Sequence, residues 1–341
     1  MTKSTTPPAV IRWLYVCCGM IFVMALLGAI TRLTESGLSI TQWDPISGAL
    51  PPLNDTAWQK AFADYKTIPQ YQIFNHGMSL DEFKNIFFWE WFHRLWGRLI
   101  GFVLAVPLIY FNVTRQIPKR LFYKLCAIFA LGGLQGFIGW FMVQSGLEVR
   151  TSVSPYRLAL HLGFALLLYA LLLWTALGLR SRIPKVKIPQ TLMLFGWVTL
   201  GFLSTTIIWG AFVAGLRAGG VYNTWPLMDG AFLPSAATSL NPLWLNFFEN
   251  TALVQFIHRW IGPTTLLMIL SLAGRLWAWA SQTNRRWLHA LAGMAVVQVC
   301  LGMATLLTHV EIVIAVVHQA GAITLLTLLL ITLHRYAATK R

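Results

Sequence analysis

Eight separate stretches of this 341-residue chain are apolar over about twenty residues each. A helix of that length matches the thickness of a bilayer's hydrocarbon core. They fall at roughly 11–30, 88–112, 121–143, 156–179, 191–215, 252–275, 287–308 and 312–334. Inside hydrocarbon every backbone amide must find its partner within the structure, which leaves helices as the solution for isolated runs of this kind. The expected fold class is therefore an all-α integral membrane protein with eight transmembrane helices. A composition that is 57% hydrophobic and 11% charged, with a mean hydropathy of +0.62, excludes a soluble domain of this size.

A net charge of +15 can signal nucleic acid, but the distribution of the charge excludes that partner. Lys3, Arg12, Arg115, Lys119, Arg120, Lys124, Arg180, Arg182, Lys185, Lys187, Arg275, Arg285, Arg286, Arg335, Lys340 and Arg341 all fall on one side of the eight-span topology. All eleven acidic residues fall on the other side or at helix ends facing it. A basic side of this kind is cytoplasmic, so both termini are expected in the cytoplasm of a bacterial cell, with the chain in its inner membrane. The first ten residues are too short and too weakly basic for a transit segment, so the first span is expected to stay as an anchor. Cys17, Cys18, Cys126 and Cys300 lie within spans and imply no disulfide or metal motif.

The chain also repeats itself. His93-Arg94-Leu95-Trp96-Gly97 parallels His258-Arg259-Trp260-Ile261-Gly262, Gln135 and Gly139 parallel Gln298 and Gly302, and the fourth span of each half carries a histidine, His161 or His318. The loops after the first span of each half correspond as well, with Gly37, Trp43, Gly48, Ala49 and Pro51 facing Gly219, Trp225, Gly230, Ala231 and Pro234. Two repeated four-helix bundles are expected, residues 1–180 and 190–341, joined by a basic cytoplasmic linker at 181–189. In such bundles side chains from facing helices build the cofactor site. Ser79-Leu80-Asp81-Glu82 reads as a capping box, from which a helix can run into the second span.

The four histidines sit five or six residues from the outer ends of their spans, about 8–9 Å deep at the helical rise. Ionisable residues at such depth are costly to bury and point to function. No thiolate or carboxylate accompanies all four, and surroundings rich in Phe, Trp, Leu and Gly suit a flat macrocycle, so two bis-histidine b-type haem sites are expected on the outer side. Gly97, Gly101, Gly163, Gly262 and Gly321 would admit a porphyrin close to the helices, or simply pack them. Arg94, Arg98, Arg217 and Arg259 are candidates for pairing with haem propionates, or for snorkelling to the interface. The halves differ at one point: Glu90 stands three residues before His93, whereas Gln255 stands three before His258. Residues three apart share a helix face, so chemistry is expected in the half that holds the carboxylate.

Glu-Trp-Phe-His-Arg at 90–94, Gly-Trp-Phe-Met-Val-Gln-Ser-Gly-Leu at 139–147 and Phe-Ile-His-Arg at 256–259 resemble the haem A synthase family. The resemblance implies an oxidoreductase that converts the C8 methyl of haem O to a formyl group by successive hydroxylations, with oxygen drawn from water, for assembly of terminal oxidases. It implies that His93 and His161 hold the substrate haem, that His258 and His318 hold haem b, and that Glu90 is the catalytic carboxylate. Partners implied with it are haem O, a haem O synthase and the terminal oxidase assembly machinery; the membrane electron acceptor is unassigned and a homo-oligomer stays open. Residues 31–87 contain no cysteine, so the chain resembles the cysteine-free branch shared by alpha-proteobacteria and mitochondria. The alternatives are a di-haem b electron carrier of the quinol-oxidising type and a haem transporter. A transporter needs an inward route, yet no intramembrane histidine or acid lines the inner half of the spans beyond His289 and His334 near the inner face.

Overall fold

The computed structural model describes residues 7–44, 47–148, 150–180 and 185–338; Lys3, Arg182, Lys340, Arg341 and the start of the basic linker lie outside the described residues. Among the described residues, eight helices long and apolar enough to cross a membrane account for the eight runs. They are α1 (Pro8–Leu33), α4 (Leu80–Val113), α5 (Lys119–Leu147), α6 (Pro155–Leu179), α7 (Gln190–Gly215), α9 (Thr251–Trp277), α10 (Gln282–Leu307) and α11 (Ile312–Arg335). Short helices α2 (Asp55–Lys66), α3 (Pro69–Ile73) and α8 (Asn246–Glu249) lie in the two long connections. The protein is an all-α integral membrane protein. The chain forms two compact units, residues 1–168 and 169–341, with the division falling inside α6.

In the first unit α1 opens on Pro8, whose missing N–H is no loss at a helix start. Farther on, Pro107 interrupts the ladder of α4 and cannot donate to the Val103 carbonyl one turn back. The Trp13 indole of α1 donates to that carbonyl at 2.7 Å, and the Trp96 indole of α4 donates to the Met20 carbonyl of α1 at 2.9 Å. Two tryptophans therefore fasten α1 to α4 by satisfying backbone groups where water cannot.

The capping box forms as the sequence indicates. The Ser79 side chain accepts from Glu82 N, the Glu82 carboxylate accepts from Ser79 N, and one unbroken helix runs from there through the second span. The long loop before it has its own core, in which Leu38, Phe62, Tyr65, Ile68, Phe83, Phe87 and Val153 are buried. Burial pushes the Tyr65 phenol up from its ordinary range, so it remains a donor, to Gln70 Oε1 at 3.1 Å. Gln70 in turn donates to the Glu35 carbonyl at 3.0 Å, tying the start of the loop to its middle.

In the second unit two short strands that the hydropathy pattern does not reveal, β1 (Val186–Ile188) and β2 (Tyr336–Ala338), pair in parallel, Val186 opposite Tyr336. This brings the entry to α7 beside the exit from α11, as four consecutive crossings require. The second long connection is organised by asparagines. The Asn250 side chain caps α9 through Ala252 N and Leu253 N and donates to Asn246, which holds both the N–H and the carbonyl of Leu240.

Candidate functional site

His93 on α4 and His161 on α6 belong to the first unit; His258 on α9 and His318 on α11 belong to the second. Every one of the four rings rests against a glycine of another helix. A Cβ built on Gly28 would stand 3.4 Å from His93 Nε2, on Gly139 2.9 Å from His161 Cε1, on Gly210 3.0 Å from His258 Cε1, and on Gly302 3.0 Å from His318 Cε1. Gly139 and Gly302 are matched positions in the sequence repeat. Gly28 and Gly210 carry no motif of their own, but Gly210 follows Gly28 by the same interval that separates Gly219 from Gly37.

Behind the last histidine of each unit stands a glutamine. Gln135 Nε2 lies 3.1 Å from His161 Nδ1 and donates to the His161 carbonyl at 3.0 Å. Gln298 Nε2 lies 3.2 Å from His318 Nδ1 and donates to the His318 carbonyl at 3.0 Å. Gly321 serves this second clamp: any Cβ there would collide with Gln298 Oε1, so this glycine makes room for an amide. Gly97 meets the Met24 side chain, whereas Gly101 and Gly262 border open space.

Among the described residues no cluster of three or more His, Cys, Asp or Glu side chains could hold a bare metal ion. Two imidazoles per unit, however, would suffice to hold a haem iron, whose macrocycle brings its own nitrogens. His258 Nδ1 and the Oε1 atoms of Gln135 and Gln298 are buried without a hydrogen-bond partner among the described residues. Buried polar atoms left in this way call for an explanation. The donor set thus fits haem in both units.

Glu90 is buried, 2% exposed, and sits in a ring of donors. The Ser39 hydroxyl and the Ile40 N–H both donate to Oε2 at 2.8 Å, and Arg94 Nη2 pairs with Oε1 at 2.6 Å. Arg94 also donates to the Ile40 and Gln42 carbonyls and stacks over Trp43. One turn on, Arg98 donates to the Asp44 carbonyl, so the segment from Ser39 to Asp44 runs alongside α4 from Glu90 to Arg98.

The second unit repeats the clamp. Arg259, 7% exposed, donates to the carbonyls of Tyr222, Thr224 and Leu227 and stacks over Trp225. Gln255 donates to the Tyr222 carbonyl at 2.9 Å. Irregular backbone beside a membrane helix must have its carbonyls satisfied by protein, and the arginines do so. This role of Arg94, Arg98 and Arg259 carries no sequence signature beyond an arginine in an apolar helix. Arg217 ends α7 in left-handed backbone, φ 54°.

The model of the cytochrome oxidase assembly protein family COX15-CtaA matches residues 11–330. A heme A synthase of Rhodospirillum centenum is 54% identical over 337 residues, covering 97% of this chain and 89% of that protein. Heme A synthases of Parvibaculum lavamentivorans and Granulibacter bethesdensis are 46% and 49% identical, covering 96% and 95% of this chain and 94% and 86% of theirs. With a family model that matches from the first span to the last and relatives about half identical over nearly the whole chain, this membrane protein belongs to the haem A synthase family of cytochrome oxidase assembly proteins.

Proposed function

We propose that this chain is a haem A synthase that oxidises the C8 methyl of haem O to a formyl group in two hydroxylations with loss of water. The observation that carries this reading is the inequality of two otherwise matched frames. Both units have a glycine-backed histidine pair, a glutamine behind the second histidine and an arginine clamping the loop, but the first has buried Glu90 where the second has Gln255. In this reading His93 and His161 hold haem O in a first bundle ending near residue 180, and His258 and His318 hold a resident haem b in a second beginning at 190. Haem b, when bound, supplies one-electron redox chemistry, and the electrons leave to a membrane acceptor.

Removing electrons from a methyl carbon builds positive charge there. Oε2 of Glu90 already accepts two hydrogen bonds and Oε1 one, so a lone pair of Oε1 is left to face the substrate. A carboxylate fixed in that way stabilises a cationic centre without reorganising, and it orients the water that adds. Arg94, Arg98, Arg217 and Arg259 are the candidates for pairing with propionates. The setting is the bacterial inner membrane, with the haem sites toward the periplasmic side. Haem O arrives from its synthase, and the product goes to terminal oxidase assembly.

Glu90→Gln is expected to retain haem O, seen in the absorption spectrum, while its conversion to haem A in extracted pigments falls by at least about a hundredfold. Wild-type conversion by that variant would sink the assignment. A di-haem electron carrier would instead yield only haem b from the wild-type protein even when haem O is supplied.

A further inference from the structure

We infer that Ser39 is a positioning residue for the reaction: its hydroxyl, together with the Ile40 N–H, fixes Glu90 through Oε2 and thereby decides that Oε1 meets the substrate. The inference rests on the reading of Glu90 given above.

Ser39 is 1% exposed and its hydroxyl has a single proton. That proton has two acceptors in view, Glu90 Oε2 at 2.8 Å and the Ile86 carbonyl at 3.4 Å. The shorter contact is also the charge-assisted one, so the proton goes to Glu90. With Ile40 N–H on the same atom, both lone pairs of Oε2 are engaged. Among the described residues Oε1 carries the Arg94 contact alone, so the carboxylate plane is set by three donors, and one acceptor direction on Oε1 stays open. Every one of these neighbours donates, a set matched to a carboxylate, which only accepts. Glu90 is thus fixed in orientation by donors.

The other unit shows that the hydroxyl is tied to the carboxylate and not to the clamp. By the interval that relates Gly37 to Gly219 and Trp43 to Trp225, Ser39 corresponds to Val221. The second unit has the arginine, the tryptophan and the bound loop carbonyls, yet where the carboxylate becomes Gln255 the serine becomes an exposed valine. A residue needed only to hold the loop would be wanted in both units.

The test is infrared spectroscopy of the haem-free protein, with the Glu90 carboxylate band assigned by its loss in Glu90→Gln, alongside conversion of supplied haem O. For Ser39→Ala we expect haem O bound as in wild type, a shifted Glu90 band and conversion about tenfold slower, one charge-assisted hydrogen bond being lost. Ser39→Thr is expected to restore the band and the rate. An unshifted band with wild-type conversion in Ser39→Ala overturns the inference. So does loss of haem O binding in Ser39→Ala that Ser39→Thr leaves unrepaired, which would make Ser39 a loop support. If Glu90→Gln converts haem O normally, the reading of Glu90 itself fails; if it is inactive while Ser39→Ala is normal, only the role of Ser39 fails.

Discussion

At the scale of single residues, the histidines depend on what they lean against. A Cβ at Gly139 or Gly302 would press on an imidazole at 2.9 or 3.0 Å, and neither ring can swing away without leaving its glutamine. At Gly28 the corresponding distance is 3.4 Å and no glutamine clamp constrains His93. Gly139→Ala and Gly302→Ala are therefore expected to cost about 1–3 kcal/mol of packing and to lower haem content at the affected pair, whereas Gly28→Ala should be close to neutral. Haem absorbance per mole of protein, with thermal unfolding alongside, measures both. Equal losses in all three would contradict the graded contact. The histidines themselves were legible in the sequence because burying an ionisable group in a membrane is conspicuous. Their glycine supports were not, since a glycine in a membrane helix reads equally as helix packing, and only the extended repeat register singles out Gly28 with Gly210.

At the scale of elements, α4 and α9 each carry an arginine that holds an irregular strand of loop along the helix. Arg259 alone binds the carbonyls of Tyr222, Thr224 and Leu227. Lysine keeps the charge but offers a single point of donation and cannot span that set. Arg259→Lys is expected to destabilise the second unit by about 1.5–3 kcal/mol, the worth of a charged hydrogen bond, read as a lower unfolding temperature and loss of haem b. No change would leave the clamp without energetic weight. The capping box of α4 was readable because its partners are three residues apart, whereas the arginine clamp joins residues more than thirty apart through backbone carbonyls that no side-chain pattern encodes. On α11, which carries His318, the exposed Glu311 carboxylate caps the first turn by accepting from Val313 N and Ile314 N, and these bonds hold it below the ordinary glutamate range. Because its folded value is lowered, its contribution is present above the ordinary glutamate range and is lost as pH falls through the lowered one. Glu311→Gln should unfold at a slightly lower temperature than wild type at neutral pH, and the difference should vanish in acid. A difference that persists or grows in acid would contradict the cap.

At the scale of the whole molecule, the chain is a membrane protein of eight spans whose two units carry parallel machinery and differ at the carboxylate and its serine. The span count and the class were legible because a bilayer imposes a length on every crossing. The pairing of β1 with β2 was not, since three-residue strands leave no hydropathy period. The parallel machinery suggests two equivalent haem proteins in one chain, but the first unit holds a carboxylate ringed by donors while the second holds an amide in its place. If the first pair holds a substrate that comes and goes, its occupancy depends on supply, and if the second holds a resident haem, its occupancy does not. His258→Ala should therefore lose haem b whether or not haem O is made in the host cell. His93→Ala should keep haem b at the wild-type level and lose only the haem O and haem A fraction of the extracted pigment. The same extraction from wild type in a host without haem O should give about one haem b per chain, because a bis-imidazole site supplies both axial ligands from protein. Equal loss of haem b in both histidine variants would mean that the two pairs hold the same cofactor, and the division of labour between the units would fall with it.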